Sequence, residues 1–302
     1  MKSLTQAGSK TSGRVLAISS SLLMSIAPIL IKFGLGNAID PLPLLTLRFL
    51  LAAAILWIGF LIFNRSVLKI RRADLWKVLL VSALFATAYH LFYQGLLYID
   101  ASIAHMIFAM NPAVVLILLA ITTRRVSLSG IVRLLAVIFG VYLLVGPSGD
   151  INFLGVVLIL GMMTFYGAYI FLVDKLLSDV PAITLTIYID TFVALMLGGV
   201  YLVQFGTWQS MPIGGWVIII ITAILSTALA HLFFIRSIQI AGSEEVSLLT
   251  PLETVFTVIW AVIFLSERLE PIQWFGGALI LVSAFLINRY IMASQKEVEV
   301  VS

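Results

Sequence analysis

The chain has 302 residues, of which 62% are hydrophobic and only 11% charged, and its mean hydropathy is +1.15. A soluble domain carries about a quarter charged residues, so this composition excludes one and requires a polytopic membrane protein. The chain contains no cysteine, which excludes a disulfide framework, a thiol nucleophile and a cysteine metal site. The net charge of +4 matters less than where its basic residues lie.

Apolar runs long enough to span a bilayer, about 17–25 residues each, predict ten spans in chain order. After a polar tail over 1–13, the first runs over 14–36 and holds Lys32. Its length, its lysine and the spans that follow mark a retained helix and not a cleaved signal peptide. The second, 42–64, carries Arg48 about two turns inside. The third, 74–98, carries His90 and the pair Tyr89 and Tyr93, which share a helix face. The fourth, 103–123, holds His105, Phe108 and Asn111 before Pro112. The fifth, 130–146, is the shortest. The sixth, 153–175, repeats the aromatic theme with Tyr166 and Tyr169. The seventh, 183–205, contains the acid Asp190, and the eighth, 213–237, contains His231. The ninth, 245–265, sets Pro251 and Glu253 into an apolar run, with Trp260 beyond. The tenth, 271–291, precedes a tail over 292–302. Turn chemistry or charge separates them, as at Asp40-Pro41, Arg71-Arg72, Gly146-Pro147, Met211-Pro212 and Glu270-Pro271.

Lysine and arginine gather on one side of this scheme, from Lys2, Lys10 and Arg14 through Arg65, Arg71, Arg72, Arg124 and Arg125 to Arg289 and Lys296. The opposite loops hold only Arg268, with Lys32 near that end of the first span. The positive-inside rule then puts both termini in the cytoplasm, which requires an even number of spans.

The sequence also repeats. His90-Leu-Phe-Tyr93 returns as His231-Leu-Phe-Phe234. Pro41-Leu-Pro-Leu-Leu-Thr46 is echoed by Pro181-Ala-Ile-Thr-Leu-Thr186, and Asn111-Pro112 by Thr250-Pro251. Each pair links span n to span n+5. Five is odd, so the second copy, 153–291, is expected upside down relative to the first, 14–146. Inverted repeats of this kind are a transporter architecture, with solute held near the midplane between the copies. The expected fold is therefore all-α integral membrane, ten transmembrane helices as two inverted five-helix repeats.

At this point the residues resemble a family. Pro41-x-x-Leu-x-x-x-Arg48-Phe-x-x-Ala52 looks like the opening of the first repeat of the drug/metabolite transporter superfamily, of the EamA-like type. Leu248-x-x-Pro251-x-Glu253, Phe264-Leu-Ser-Glu267-Arg268-Leu and Gly276-x-x-Leu279-Ile look like its second-repeat signature. Two departures stand out: Val114 occupies the place after Pro112 that Glu253 holds after Pro251, and Ser266 stands where members usually have glycine. The resemblance implies an inner-membrane secondary transporter of amino acids, their derivatives or related metabolites and drugs, commonly exporting them.

Candidate roles follow. A charge at membrane depth costs about 2.5–3.5 kcal/mol on insertion scales, so Arg48, Asp190 and Glu253 are expected to face protein or water. Arg48 reads either as a clamp for an anionic group or as a donor to helix ends. Glu253 reads as a titrating or amine-binding carboxylate or as a helix-helix tie, and both residues being features of the family pattern favours structure and gating. Asp190 lies outside that pattern and is a candidate for substrate or proton chemistry. His90 and His231 are grouped with Pro112 and Pro251 as gating or structural positions. Tyr89, Tyr93, Phe108, Asn111, Tyr166 and Asp190 are the candidate substrate-binding set, because aromatic walls with a few polar groups suit a solute with a ring or an extended apolar part. The three histidines lack metal-ligand spacing, and no metal, cofactor or nucleic acid is expected. The expected partners are a small solute and the bilayer, with proton or substrate counter-transport and a monomer or homodimer compatible with the sequence. No Walker motif and no hydrolase motif occurs. An uptake carrier or exchanger for a nucleoside-like or sulfonium metabolite is the alternative, and an intramembrane lipid-modifying enzyme the more remote one, since its ionisable groups would have to cluster at one membrane face.

Overall fold

A computed structural model of the chain describes residues 2–37, 39–110, 128–145, 152–206, 210–241, 246, 249, 251–283 and 286. Among the described residues the structure is helical, with no strand. Helices α1 (Lys2–Met24) and α2 (Ile26–Gly36) form the first rod, followed by α3 (Pro41–Phe63), α4 (Arg72–Gly95), α5 (Ala101–Phe108), α6 (Leu128–Val145), α7 (Phe153–Leu177) and α8 (Ala182–Phe205). A continuous rod then comprises α9 (Ile213–Ile221), a π-helical segment (Thr222–Leu229) and α10 (Ala230–Ala241), and α11 (Pro251–Phe264) follows. The last is α12 (Pro271–Ser283). Six stretches, 11–36, 41–63, 72–95, 153–177, 182–205 and 213–241, are long and apolar enough to cross a membrane. Their outward faces carry residues such as Phe63, Val203 and Ile213, each more than four-fifths exposed, as lipid-facing positions require.

The ends are set by local chemistry. Asp40 caps α3 by accepting from Leu42 N at 2.9 Å, with Pro41 at the first helical position. Asn152 caps α7 in the same way through Leu154 N. Between α1 and α2 the rod breaks at Ser25, because Pro28 has no N–H to return to the Met24 carbonyl. The Ser25 hydroxyl donates to Leu22 O at 2.7 Å and accepts from Trp260 Nε1 at 3.1 Å. Neighbouring groups thus satisfy the broken turn, as a membrane interior demands.

The helices pair in a definite order: α4 with α7, α1 with α10, α3 with α8 and α5 with α11. A Cβ on Gly140 of α6 would lie 2.7 Å from Ile280 of α12, so these two also approach closely. This pairing is unchanged when span n is exchanged with span n+5. Small residues allow the same closeness at corresponding places. A Cβ on Gly155 would meet Ile99 at 2.7 Å, and one on Gly13 would meet Ala241 at 2.7 Å. Without a hydrophobic drive between helices in lipid, such close backbone approach is what holds them together.

Candidate functional site

The broken first rod, α3, α4, α5, α7 and α11 enclose a cavity with about 410 Å³ of unfilled space, part of it open to solvent. Met24, Ala27 and Pro28 line it from the break at Ser25. Arg48, Tyr89, Tyr93, His105, Phe108, Tyr166 and Glu253 supply its polar and aromatic walls. Four of the six expected substrate-contacting residues, Tyr89, Tyr93, Phe108 and Tyr166, are therefore brought together here. Asn111 and Pro112 lie outside the described residues. Asp190 lies behind the wall instead of on it, and His90 is half-buried on α4, away from the lining.

Arg48 is only 2% exposed. Its Nε donates to Thr227 Oγ1, one Nη donates to Tyr93 Oη at 2.5 Å and the other to Ser226 O at 3.2 Å. Its guanidinium also lies 5.5 Å from the centre of the Tyr89 ring, within cation–π range. All three acceptors are neutral, so the cation is oriented by hydrogen bonds and makes no ion pair among the described residues. Thr227 and Ser226 belong to the π-helical segment. There Thr227 Oγ1 donates to Thr222 O five residues earlier, and Ser226 Oγ donates to Leu23 O. Turns of this wider pitch are frequent at functional sites.

Glu253 stands in the first turn of α11, just after Pro251. Among the described residues its carboxylate makes no hydrogen bond or ion pair, whereas its neighbour Thr254 ties α11 to α5 through the His105 carbonyl at 3.0 Å. The helix-helix tie at this place is thus made by Thr254, leaving Glu253 free to face the cavity. His105, expected at the outer start of the fourth span, lies in α5. It is buried at 3% exposure and lines the cavity, with the ring edge-on to Phe92 and Phe108 and neither nitrogen hydrogen-bonded among the described residues.

The aromatic wall is continuous. Tyr89 lies 4.6 Å from Phe85, which stacks on Tyr169 at 4.4 Å and on His231 at 5.0 Å. Tyr166 meets Phe108 edge-on at 5.4 Å. Behind this layer, Asp190 Oδ1 is 2.8 Å from His231 Nδ1, and His231 Nε2 is 2.8 Å from Tyr169 Oη. No sequence signal joined these three residues, which come from α7, α8 and α10. No group of acids and histidines that could hold a metal occurs among the described residues.

Comparison with known proteins agrees with this architecture. A solved crystal structure superposes with a TM-score of 0.60 over 90% of this chain and 99% of its own, at 17% identity, which speaks for the fold alone. An uncharacterized transporter, YcbK of Bacillus subtilis (strain 168), is 24% identical over 298 residues, covering 94% of this chain and 96% of that protein. An uncharacterized transporter of Synechocystis sp. (strain ATCC 27184 / PCC 6803 / Kazusa), sll0355, is 30% identical over 82 residues, 27% of this chain and 25% of that one. The EamA-like transporter family matches residues 11–146 and again 153–289. With two copies of the family's unit filling nearly all of an apolar helical chain, this multi-pass membrane protein belongs to the EamA-like transporter family.

Proposed function

We propose that this transporter carries a small zwitterionic metabolite with an apolar or ring-bearing part, of the class of amino acids and their derivatives, by alternating access across a bacterial inner membrane. The observation that carries the reading is the pair Arg48 and Glu253: both line one cavity, and among the described residues neither is held in an ion pair. A solute with a carboxylate and an amine would supply both missing charges. Its apolar part would lie against Tyr89, Phe108 and Tyr166. Buried charges are costly when unpaired and strong when met, so such a site discriminates sharply against neutral solutes. The five-span shift that leaves the helix pairing unchanged supports a rocking of two inverted halves about this cavity. Export is the direction the family resemblance implies, with both termini cytoplasmic.

A second reading rests on the same walls. Glu253 among Tyr89, Tyr166 and Phe108 would also suit a sulfonium or other cationic head, held by the carboxylate and by ring faces. Thermal-shift screening of the purified protein against a metabolite library separates the two. A bound ligand stabilises by mass action, about 2.7 kcal/mol at a hundredfold excess over Kd. The zwitterion reading expects stabilisation by amino acids or close derivatives, and loss of that effect when either their carboxylate or their amine is blocked. Stabilisation by cations lacking a carboxylate would favour the second reading. Efflux from preloaded cells against uptake into empty ones then fixes direction.

A further inference from the structure

We propose that Asp190, His231 and Tyr169 form a proton-binding site whose charge state is communicated to Arg48 through the π-helical segment. This deepens the transport reading by naming the coupling ion, and it rests on a separate part of the molecule.

The geometry is a chain of three groups, each at most 1–2% exposed. His231 Nδ1 meets Asp190 Oδ1 at 2.8 Å and His231 Nε2 meets Tyr169 Oη at 2.8 Å, while Asp190 Oδ2 has no hydrogen-bond partner among the described residues. A carboxylate accepts only, so with Asp190 ionised the Nδ1 hydrogen points to it. The other nitrogen then has two options. In a neutral ring it accepts the Tyr169 hydroxyl proton, and in a protonated ring it donates to Tyr169 Oη. Taking up one proton therefore reverses the Tyr169–His231 bond and frees the phenolic hydrogen to turn elsewhere. It also converts a buried site of net charge −1 into a neutral ion pair.

The groups facing this site from the packed elements are few. Arg48 of α3 and Tyr89 of α4 lie within electrostatic range of Asp190, Tyr169 comes from α7, and α1 contributes Ser20, whose hydroxyl donates to Ala230 O. Arg48 is thus a cation whose field Asp190 feels at a distance, without an ion pair between them among the described residues. It is also gripped by Ser226 and Thr227, and Thr227 precedes His231 by one helical turn on the same rod. Protonation removes a negative charge from the surroundings of Arg48, which strengthens its pull on an anionic group in the cavity. By linkage, a solute carboxylate bound at Arg48 favours the protonated triad to the same extent.

The test reads the proton itself and needs no substrate. The chain has three histidines, so ring nitrogen signals of protein labelled with 15N-histidine in nanodiscs can be assigned with His90→Gln and His105→Gln, neither of which touches the triad. The expected result is that the His231 ring nitrogens report uptake of one proton across a pH series, and that Asp190→Asn moves the midpoint of that change by at least about one pH unit, tenfold in the proton binding constant. Tyr169→Phe keeps the ring against Phe85 and removes only the hydroxyl. It is expected to move both the midpoint and the Nε2 resonance, and it serves should the aspartate variant fail to fold. A His231 ring locked in one protonation state across that series, or a midpoint indifferent to both substitutions, overturns the proposal. A titrating triad in a protein that no zwitterion stabilises would instead leave this proposal standing and refute the substrate reading.

Discussion

Lys32 and Glu267 differ from Arg48 and Glu253 in one respect that separates scaffold from site. Lys32 Nζ donates to Leu96 O and Ile99 O, each at 2.7 Å, with Asp100 at 3.9 Å. Glu267 accepts from Ala101 N at 2.9 Å, from Ser102 N at 3.1 Å and from the Ser102 hydroxyl, closing the N-terminus of α5 where a negative charge also meets the helix dipole. These two charges are consumed by the protein's own backbone at the junction of α4 and α5. Arg48 and Glu253 face a shared cavity, and among the described residues one is held by neutral acceptors and the other by none. On the proposed reading the first pair of charges builds the fold and the second meets the solute.

That contrast can be broken by substitution. The largest effect is expected from Arg48→Gln, which removes a charge-assisted contact of about 1.5–3 kcal/mol and should weaken ligand affinity roughly tenfold to more than a hundredfold in a titration of the purified protein. Next is Glu267→Ala, which deletes the cap of α5. It should cost about 1–2 kcal/mol of stability, visible as a lower melting temperature, while ligand affinity per folded molecule stays at the parental level. Trp260→Phe removes the indole donor to Ser25 and should cost about 0.5–1.5 kcal/mol, read by chemical or thermal denaturation. The smallest stability change belongs to Glu253→Gln. With no partner to lose among the described residues, it should shift stability by no more than about 0.5 kcal/mol yet reduce binding of an amine-bearing ligand. A large loss of folded protein in that variant would return Glu253 to the scaffold class.

Sequence reasoning reached the parts of the molecule governed by local chemistry. The apolar lengths and breakers at Asp40-Pro41 and Met211-Pro212 locate α3 and the 213–241 rod to within a few residues, because a span must be long, apolar and interrupted by turn residues. The aromatic walls from Tyr89, Tyr93 and Tyr166 were visible as shared helix faces. What escaped depends on partners far apart in the chain. Nothing near Arg48 announces Thr227, nor does anything near His231 announce Asp190 or Tyr169. Nor does anything near His105 announce Thr254, whose hydroxyl reaches its carbonyl. Two irregularities had weaker signals: Pro28 marks the break at Ser25, and the hydroxyls of Thr222, Ser226 and Thr227 mark the π-helical turn that carries Arg48's acceptors.

The measurement that bears most directly on the central claim is the ligand-induced rise in melting temperature, compared across parent, Lys32→Gln and Arg48→Gln with the same screened zwitterion. Referring each rise to the unliganded variant removes any change in basal stability. The account expects Lys32→Gln to start from a lower melting temperature and to show the full ligand-induced rise, and Arg48→Gln to show little or none. An undiminished rise in Arg48→Gln, or its loss in Lys32→Gln alone, would contradict the assignment of the uncompensated charges to the solute.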